Sequence, residues 1–369
     1  MTPRRVATLL IAGLAVVAFA MWLASRRHLE RATLTGDLVL PELEHNVNAV
    51  SELALRKGDG PHATLKKDAG GWSVAERSWP ADTTRLRKLL LDLGALTIVE
   101  EKTRLPANYP QLGVEDVSSP RAGGTRIDLG AAGRSWALIV GKSSSAKAGY
   151  VRLASAPQSL LAAPLLSVDA DPKAWLDRAL LDIAAERVRQ VEEHPAEGAS
   201  FTLARDKKEQ ADFTVTPLPK GRELSAPGAA DPIAGALAGL TLDDVAKPQP
   251  ATAPKTSHAL FRTFDGLTLE VAGHKEGARR LISISTRSGA KEAEAEAHKL
   301  DARLAGWEFD IPEYKYVTLF RPLEELLKKP PEPAKKAAKS GPPGKSASPA
   351  KSATPAAAPP AEGGASPPQ

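Results

Sequence analysis

Residues 51–101 read SELALRKGDGPHATLKKDAGGWSVAERSWPADTTRLRKLLLDLGALTIVEE, and the order of periodicities in this stretch decides the fold. Ser51–Lys57, His62–Lys67 and Trp72–Glu76 alternate polar and apolar side chains across the turns Gly58-Asp59-Gly60 and Ala69-Gly70-Gly71, which predicts a three-stranded meander. After Pro80-Ala81-Asp82 the period changes. Leu86, Leu89, Leu90, Leu93 and Leu96 share one face of a helix, with Asp82 placed as its N-cap. Thr97–Glu101 leaves that helix as a strand, and three more strands are expected around Arg126–Leu129, Ser135–Val140 and Tyr150–Leu153.

Further along, the same order returns. Glu186–Glu193, Ser200–Arg205 and Asp212–Thr216 alternate, and Asp231-Pro232 opens a short helix with Ile233, Leu237 and Leu240 inward. Thr241–Val245 leaves it, and strands follow around Ala259–Phe264, Thr268–Val271 and Leu281–Ser285. Eight elements repeated in order predict an internal duplication: α+β architecture, two tandem modules of mostly antiparallel sheet plus a helix, hinged by the segment Asp171–Asp182. Ala290–Leu304 then reads as a polar helix, Trp307, Phe309 and Ile311 as a closing strand, and Leu323–Leu327 as a last short helix. The modules are expected over 29–170 and 171–328.

The two ends have a different composition. Val6–Ser25 is 20 residues without a charge, enough at ~1.5 Å per residue to span a ~30 Å hydrocarbon core, with Trp22 at interface depth and Arg26-Arg27 closing the run. A transmembrane anchor over 1–28 is the preferred reading. Ala18-Phe19-Ala20 has the form of a signal-peptide cleavage site, but the apolar run continues past it. A short N-terminal tail before a long domain places the body outside the cytoplasm, on a single-pass inner-membrane anchor. Residues 329–369 are almost wholly Pro, Ala, Lys, Ser and Gly and are expected to be disordered.

Charge divides along the chain in the same way. The formal net charge is +5, yet 1–28 and 329–369 each carry +4, so the body 29–328 is −3. Nucleic-acid binding, which needs a clustered basic footprint, is therefore not expected. There is no cysteine in the 369 residues, which removes thiol nucleophiles, disulfides and Cys-ligated metals.

An ordered set of short matches carries a family resemblance. Gly36-Asp37 and Pro41 come first, then Gly71-Trp72-Ser73-Val74 with Pro80-Ala81-Asp82, Glu101-Lys102-Thr103, and Tyr109 with Leu112-Gly113-Val114. Leu138-Ile139-Val140-Gly141-Lys142, Tyr150-Val151-Arg152, Asp171-Pro172, Trp175-Leu176-Asp177-Arg178 and Leu181-Asp182-Ile183 complete it. In these residues, over about 34–327, the chain resembles the DUF4340 family. The resemblance implies a single-pass envelope protein, similar to proteins of gliding-type or auxiliary ABC transport systems, that works through protein or polymer interaction. It carries over no catalytic residue.

Gly141-Lys142-Ser143 imitates the end of a phosphate loop, but the required first glycine is Trp136, and the stretch runs from a strand into a turn. The histidines at 28, 45, 62, 194, 258, 274 and 298 show no H-E-x-x-H and no i, i+4 pair, and Asp169-Ala170-Asp171 reads as a cap before Pro172 rather than a metal pair. No G-x-S-x-G elbow exists. Carboxylate pairs that cleave glycosides meet in space, not in sequence, so the sequence does not decide them. The expectation is a non-catalytic protein without cofactor or metal, an accessory or interaction subunit of an envelope ABC transport system; the alternative is a binding module for an envelope polymer such as a glycan. Trp72 and Trp136 share faces with core residues, whereas Trp79 and Tyr109 lie before or beside prolines in loops. Trp79 and Tyr109 are therefore the candidate partner or ligand contacts.

Overall fold

A computed structural model describes Val17 and residues 36–328 apart from 120, 132 and 249–254. Apart from Val17, the predicted anchor lies outside the described residues, as does the tail 329–369. Among the described residues no helix is long and apolar enough to cross a membrane.

The first half builds β1 (Val50–Arg56), β2 (His62–Asp68), β3 (Gly71–Val74), β4 (Trp79–Pro80), helix α1 (Thr83–Gly94), β5 (Thr97–Glu101), the short helix α2 (Tyr109–Leu112), and β6 (Thr125–Ala131), β7 (Arg134–Ser143), β8 (Gly149–Leu153) and β9 (Ser159–Ala163). A linking strand β10 (Ala179–Leu181) leads to β11 (Val188–His194), β12 (Phe201–Ala204), β13 (Thr214–Thr216), α3 (Asp231–Ala234), β14 (Leu240–Thr241) and β15 (Asp244–Ala246). The chain ends with β16 (Ser257–Thr263), β17 (Leu267–Glu276), β18 (Arg279–Ser288), α4 (Glu294–Leu304), β19 (Glu308–Asp310), α5 (Glu313–Leu319) and α6 (Leu323–Leu326). The protein is α+β, with two large antiparallel sheets.

The strand order is β4-β3-β2-β1-β6-β7-β8-β9-β5 in the first sheet and β13-β12-β11-β16-β17-β18-β19-β15 in the second. Apart from the added β4, one order maps onto the other, strand for strand. Even an irregularity recurs: the register slips between Val50 and Glu52 where β1 meets β6, and between Val188 and Gln190 where β11 meets β16. The mapping also assigns the closing strand. β19 takes the place that β9 has in the first sheet, with α4 inserted before it. β9 itself was not foreseen, because SLLAA lacks the alternation and β-branched residues that mark a strand.

Local chemistry accounts for the helix boundaries. Asp82 Oδ1 accepts from the backbone N–H groups of Thr84 and Arg85, both at 3.0 Å, and the predicted leucine face of α1 is buried. Gly36 N–H donates to Ile98 O at 2.9 Å and Ile98 N–H to Asp37 O at 2.8 Å, which covers the outer edge of β5.

The segment expected to hinge the halves instead stitches them together. Asp82 N–H donates to Trp175 O and Asp177 N–H to Pro80 O, each at 2.8 Å. Arg85 donates to Ala174 O at 2.7 Å and stacks over the buried Trp175 ring. One hydrophobic core, from Val39 to Leu327, runs through both sheets.

Candidate functional site

Neither predicted contact aromatic is free to bind. Trp79 is 2% exposed and sits in β4 rather than in a loop. Its indole meets Trp307 and Phe309 edge-on at 5.6 and 5.3 Å, and its Nε1–H donates to Asp177 O at 2.9 Å. The ring is the rivet between the halves, and its partners come from a strand more than two hundred residues away, which no local pattern reveals. Trp72 and Trp136, the expected core residues, are only half-buried.

Tyr109 is 6% exposed and joins Val114 and Ile139 in a small second core on the outer face of the first sheet. Its hydroxyl donates to Pro157 O, and the Arg152 guanidinium lies over the ring at 4.8 Å. Arg152, buried, also donates to Val114 O at 2.9 Å, Ala156 O at 3.1 Å and Asp116 Oδ1 at 2.9 Å. Lys142, the false phosphate-loop lysine, donates to Pro110 O and Gln111 O at the end of α2, each at 3.1 Å. Gly141 is needed for close approach: a Cβ there would lie 2.3 Å from Leu112 O. Asp171 caps the turn Pro172–Trp175 by accepting from Lys173 N–H at 2.9 Å, as expected.

A second cluster closes the junction. Asp244 accepts from Arg77 at 2.6 Å and pairs with Lys173 at 3.1 Å. Burial alone would raise its carboxyl, but hydrogen bonds from Arg77, the Val245 amide and Lys173 outweigh that and hold it below the usual carboxylate range. Beside it the half-buried Trp307 carries the Lys247 ammonium over its face at 3.4 Å, so the face a sugar would stack on is taken.

An open, largely apolar cleft lies at the end of the second sheet, under α5. Its volume is about 410 Å³, with walls from Pro195, Tyr316, Val317, Phe320 and Pro322. Gly273 on β17 makes room for it, since a Cβ there would lie 2.3 Å from Phe320 Cε2 and 3.0 Å from Tyr316 Cε2. Tyr316 and Phe320 pack at 4.9 Å between centroids, and burial pushes the Tyr316 phenol up although its hydroxyl bonds Ser257. Lys315 fastens α5 from below by donating to Ala238 O at 2.6 Å. Tyr314, on the outer side of α5, is 66% exposed, and Val317, at the cleft margin, 39%. The rim carries the Lys255–Glu197 pair at 2.7 Å and Lys275.

Behind the cleft lies an unusual acid. Glu193 on β11 faces inward, paired with Phe201 and Ala259, one cross-strand row from the Ser257–Gly273 row on which Tyr316 and Phe320 rest. It is 0% exposed, and among the described residues neither carboxyl oxygen has a hydrogen-bond partner. Burial holds this carboxyl well above the usual carboxylate range. Among the described residues no three His, Asp or Glu side chains are grouped to hold a metal ion. Sequence reasoning missed Tyr314 and Val317, although the spacing of Tyr316, Leu319 and Phe320 after Pro312 would have put Tyr314 on the opposite face of a helix and Val317 on its flank.

The family profile described as Domain of unknown function (DUF4340) matches residues 48–259, from just before β1 into β16. The chain belongs to the DUF4340 family. The match takes in the whole first sheet, the stitched segment around Trp175 and the first strands of the second sheet. The DUF4340 region supplies the Pro195–Glu197 side of the α5 cleft with Lys255 and Ser257, and the α5 side, with Tyr316, Val317 and Phe320, comes from beyond it. No curated protein and no solved structure matches the chain.

Proposed function

We propose that this DUF4340 protein is a membrane-anchored, extracytoplasmic, non-catalytic interaction subunit, an accessory of an envelope ABC transport system, that holds a partner protein at the α5 cleft. The anchor is the uncharged Val6–Ser25 segment. The observation that carries the reading is the pairing of a half-open apolar cleft with two exposed side chains, Tyr314 and Val317, on the same short helix. Apolar surface next to a concavity and rimmed by charge is the form of a protein contact. The stitched junction supports it, because a body whose halves are tied through Trp79 and Asp244 presents that surface without rearranging.

The absence of cysteine makes the test clean. Tyr314→Cys gives one thiol, which a membrane-impermeant maleimide should label in intact cells; labelling only after lysis would reverse the orientation. A photo-crosslinking amino acid at 314 should then trap transporter subunits. Recovery of glycan alone would favour the polymer-binding alternative, and no adduct at 314 or 317 would remove the cleft from the reading.

A further inference from the structure

The seven histidines have no metal-ligand spacing in sequence, yet strand pairing sets two of them side by side. His194 on β11 lies directly opposite His258 on β16. Glu193, Ser257 and Ala259 beside them are buried, so by strand alternation both imidazoles stand on the outer face, where both are exposed. Directly opposed residues of an antiparallel pair have Cβ atoms about 4.5–5.5 Å apart, which lets two imidazoles converge on one ion at the ~2.0–2.1 Å of a zinc–imidazole bond.

Two further features fit a ligand. His194 Nδ1 is 3.0 Å from Ser200 Oγ. With the Nδ1 proton donated to that oxygen, Nε2 keeps its lone pair and the ring is held in orientation, the outer-shell arrangement of ligating histidines. The pair also borders a concavity of about 400 Å³, shared with Leu260, Glu270 and Arg287. The charges on this face cancel in pairs: Arg287 with Glu270 at 2.7 Å, and Arg262 with Glu192. A cation therefore meets no net repulsion there. Both carboxylates are engaged, which leaves the imidazoles as the protein's ligands and water to fill the remaining positions.

We propose that His194 and His258 form a surface site for a borderline divalent cation of the Zn²⁺, Ni²⁺ or Cu²⁺ class, bound through the two Nε2 atoms. The site is independent of the α5 cleft, on the opposite face of the sheet.

The test is calorimetric titration of the detergent-solubilised full chain with ZnCl₂ and, separately, NiCl₂ near neutral pH. One saturable site is expected, weakened at least tenfold in His194→Ala and in His258→Ala, and about tenfold in Ser200→Ala. Mg²⁺, which prefers oxygen ligands, should give no saturable heat. Metal-free thermal midpoints of the three variants should match the parent, since all three side chains are exposed, so lost binding is separable from lost folding. No saturable Zn²⁺ or Ni²⁺ binding, or undiminished binding in the double variant His194→Ala/His258→Ala, overturns the assignment.

Discussion

The two sheets share a strand order and treat buried charge in opposite ways. In the first, Arg152 is 4% exposed and fully met: two backbone carbonyls, the Asp116 carboxylate and the Tyr109 ring surround it. The second sheet has its own version in Arg205, which donates to Val188 O, Gln210 O and Ala185 O and lies over Phe213 at 4.6 Å. It also contains Glu193, whose oxygens meet nothing. The difference follows from what covers each position. Arg152 is covered by loops and Arg205 by a loop, the turn at Ala185 and the first residue of β11, all of which turn carbonyls toward the guanidinium; Glu193 faces into the core from paired strands, whose backbone groups are already used by the ladder. A buried cation under a loop finds acceptors, and a buried acid on an inner strand face finds no donor, so burial raises its pKa.

Five substitutions probe this comparison, beginning with the residue that joins its two sides. Trp79→Ala empties a site walled by Trp307 and Phe309 and should cost ~3–5 kcal/mol, with both sheets unfolding in one transition in denaturant melts. Two separated transitions would show that the halves fold independently. Arg152→Met leaves Val114 O and Ala156 O without their donor and should cost ~2–4 kcal/mol, and Arg205→Met should cost a similar amount. A cost under ~1 kcal/mol for either would mean that the loop relaxes to water and the guanidinium is dispensable. Trp72→Ala, at a half-buried position, should cost only ~1–2 kcal/mol, well below Trp79→Ala.

The fifth changes a slope rather than a level. Glu193 has a folded-state pKa above its ordinary value of 4.5, so the folded chain binds the extra proton. Its favourable contribution is complete below that ordinary value and is lost as pH rises through the folded-state value. Asp244, held low, acts in the opposite sense, its share being lost as pH falls below 3.8. Urea melts from pH 5 upward should therefore show stability declining with pH in the parent and a flatter profile in Glu193→Gln. Identical slopes would mean that Glu193 is charged in the folded chain.

Much of the architecture was legible because it is local. The turns at Gly58 and Gly70, the leucine face of α1, the Asp82 and Asp171 caps and the repeated order of elements depend on residues within a few positions of one another. Periodicity also distinguished Val74, fully buried, from its polar neighbours. It failed for the tryptophans. Parity on a strand says which face a ring takes, but not what covers that face, and Trp72 lies at a half-open margin while Trp79 meets the second half of the chain.

The sequence by itself determined the α+β class, the duplication and the uncharged N-terminal run, since hydrophobic period, turn chemistry and segment length are properties of consecutive residues. Only the tertiary structure decided that Asp171–Asp182 is a seam rather than a hinge, that Glu193 is buried without a hydrogen-bond partner among the described residues, that Tyr314 and Val317 are exposed beside the α5 cleft, and that His194 faces His258. Each of these depends on a register or a cover supplied from more than 40 residues away, and hydrogen bonding between strands, not the order of neighbours along the chain, sets which side chains meet.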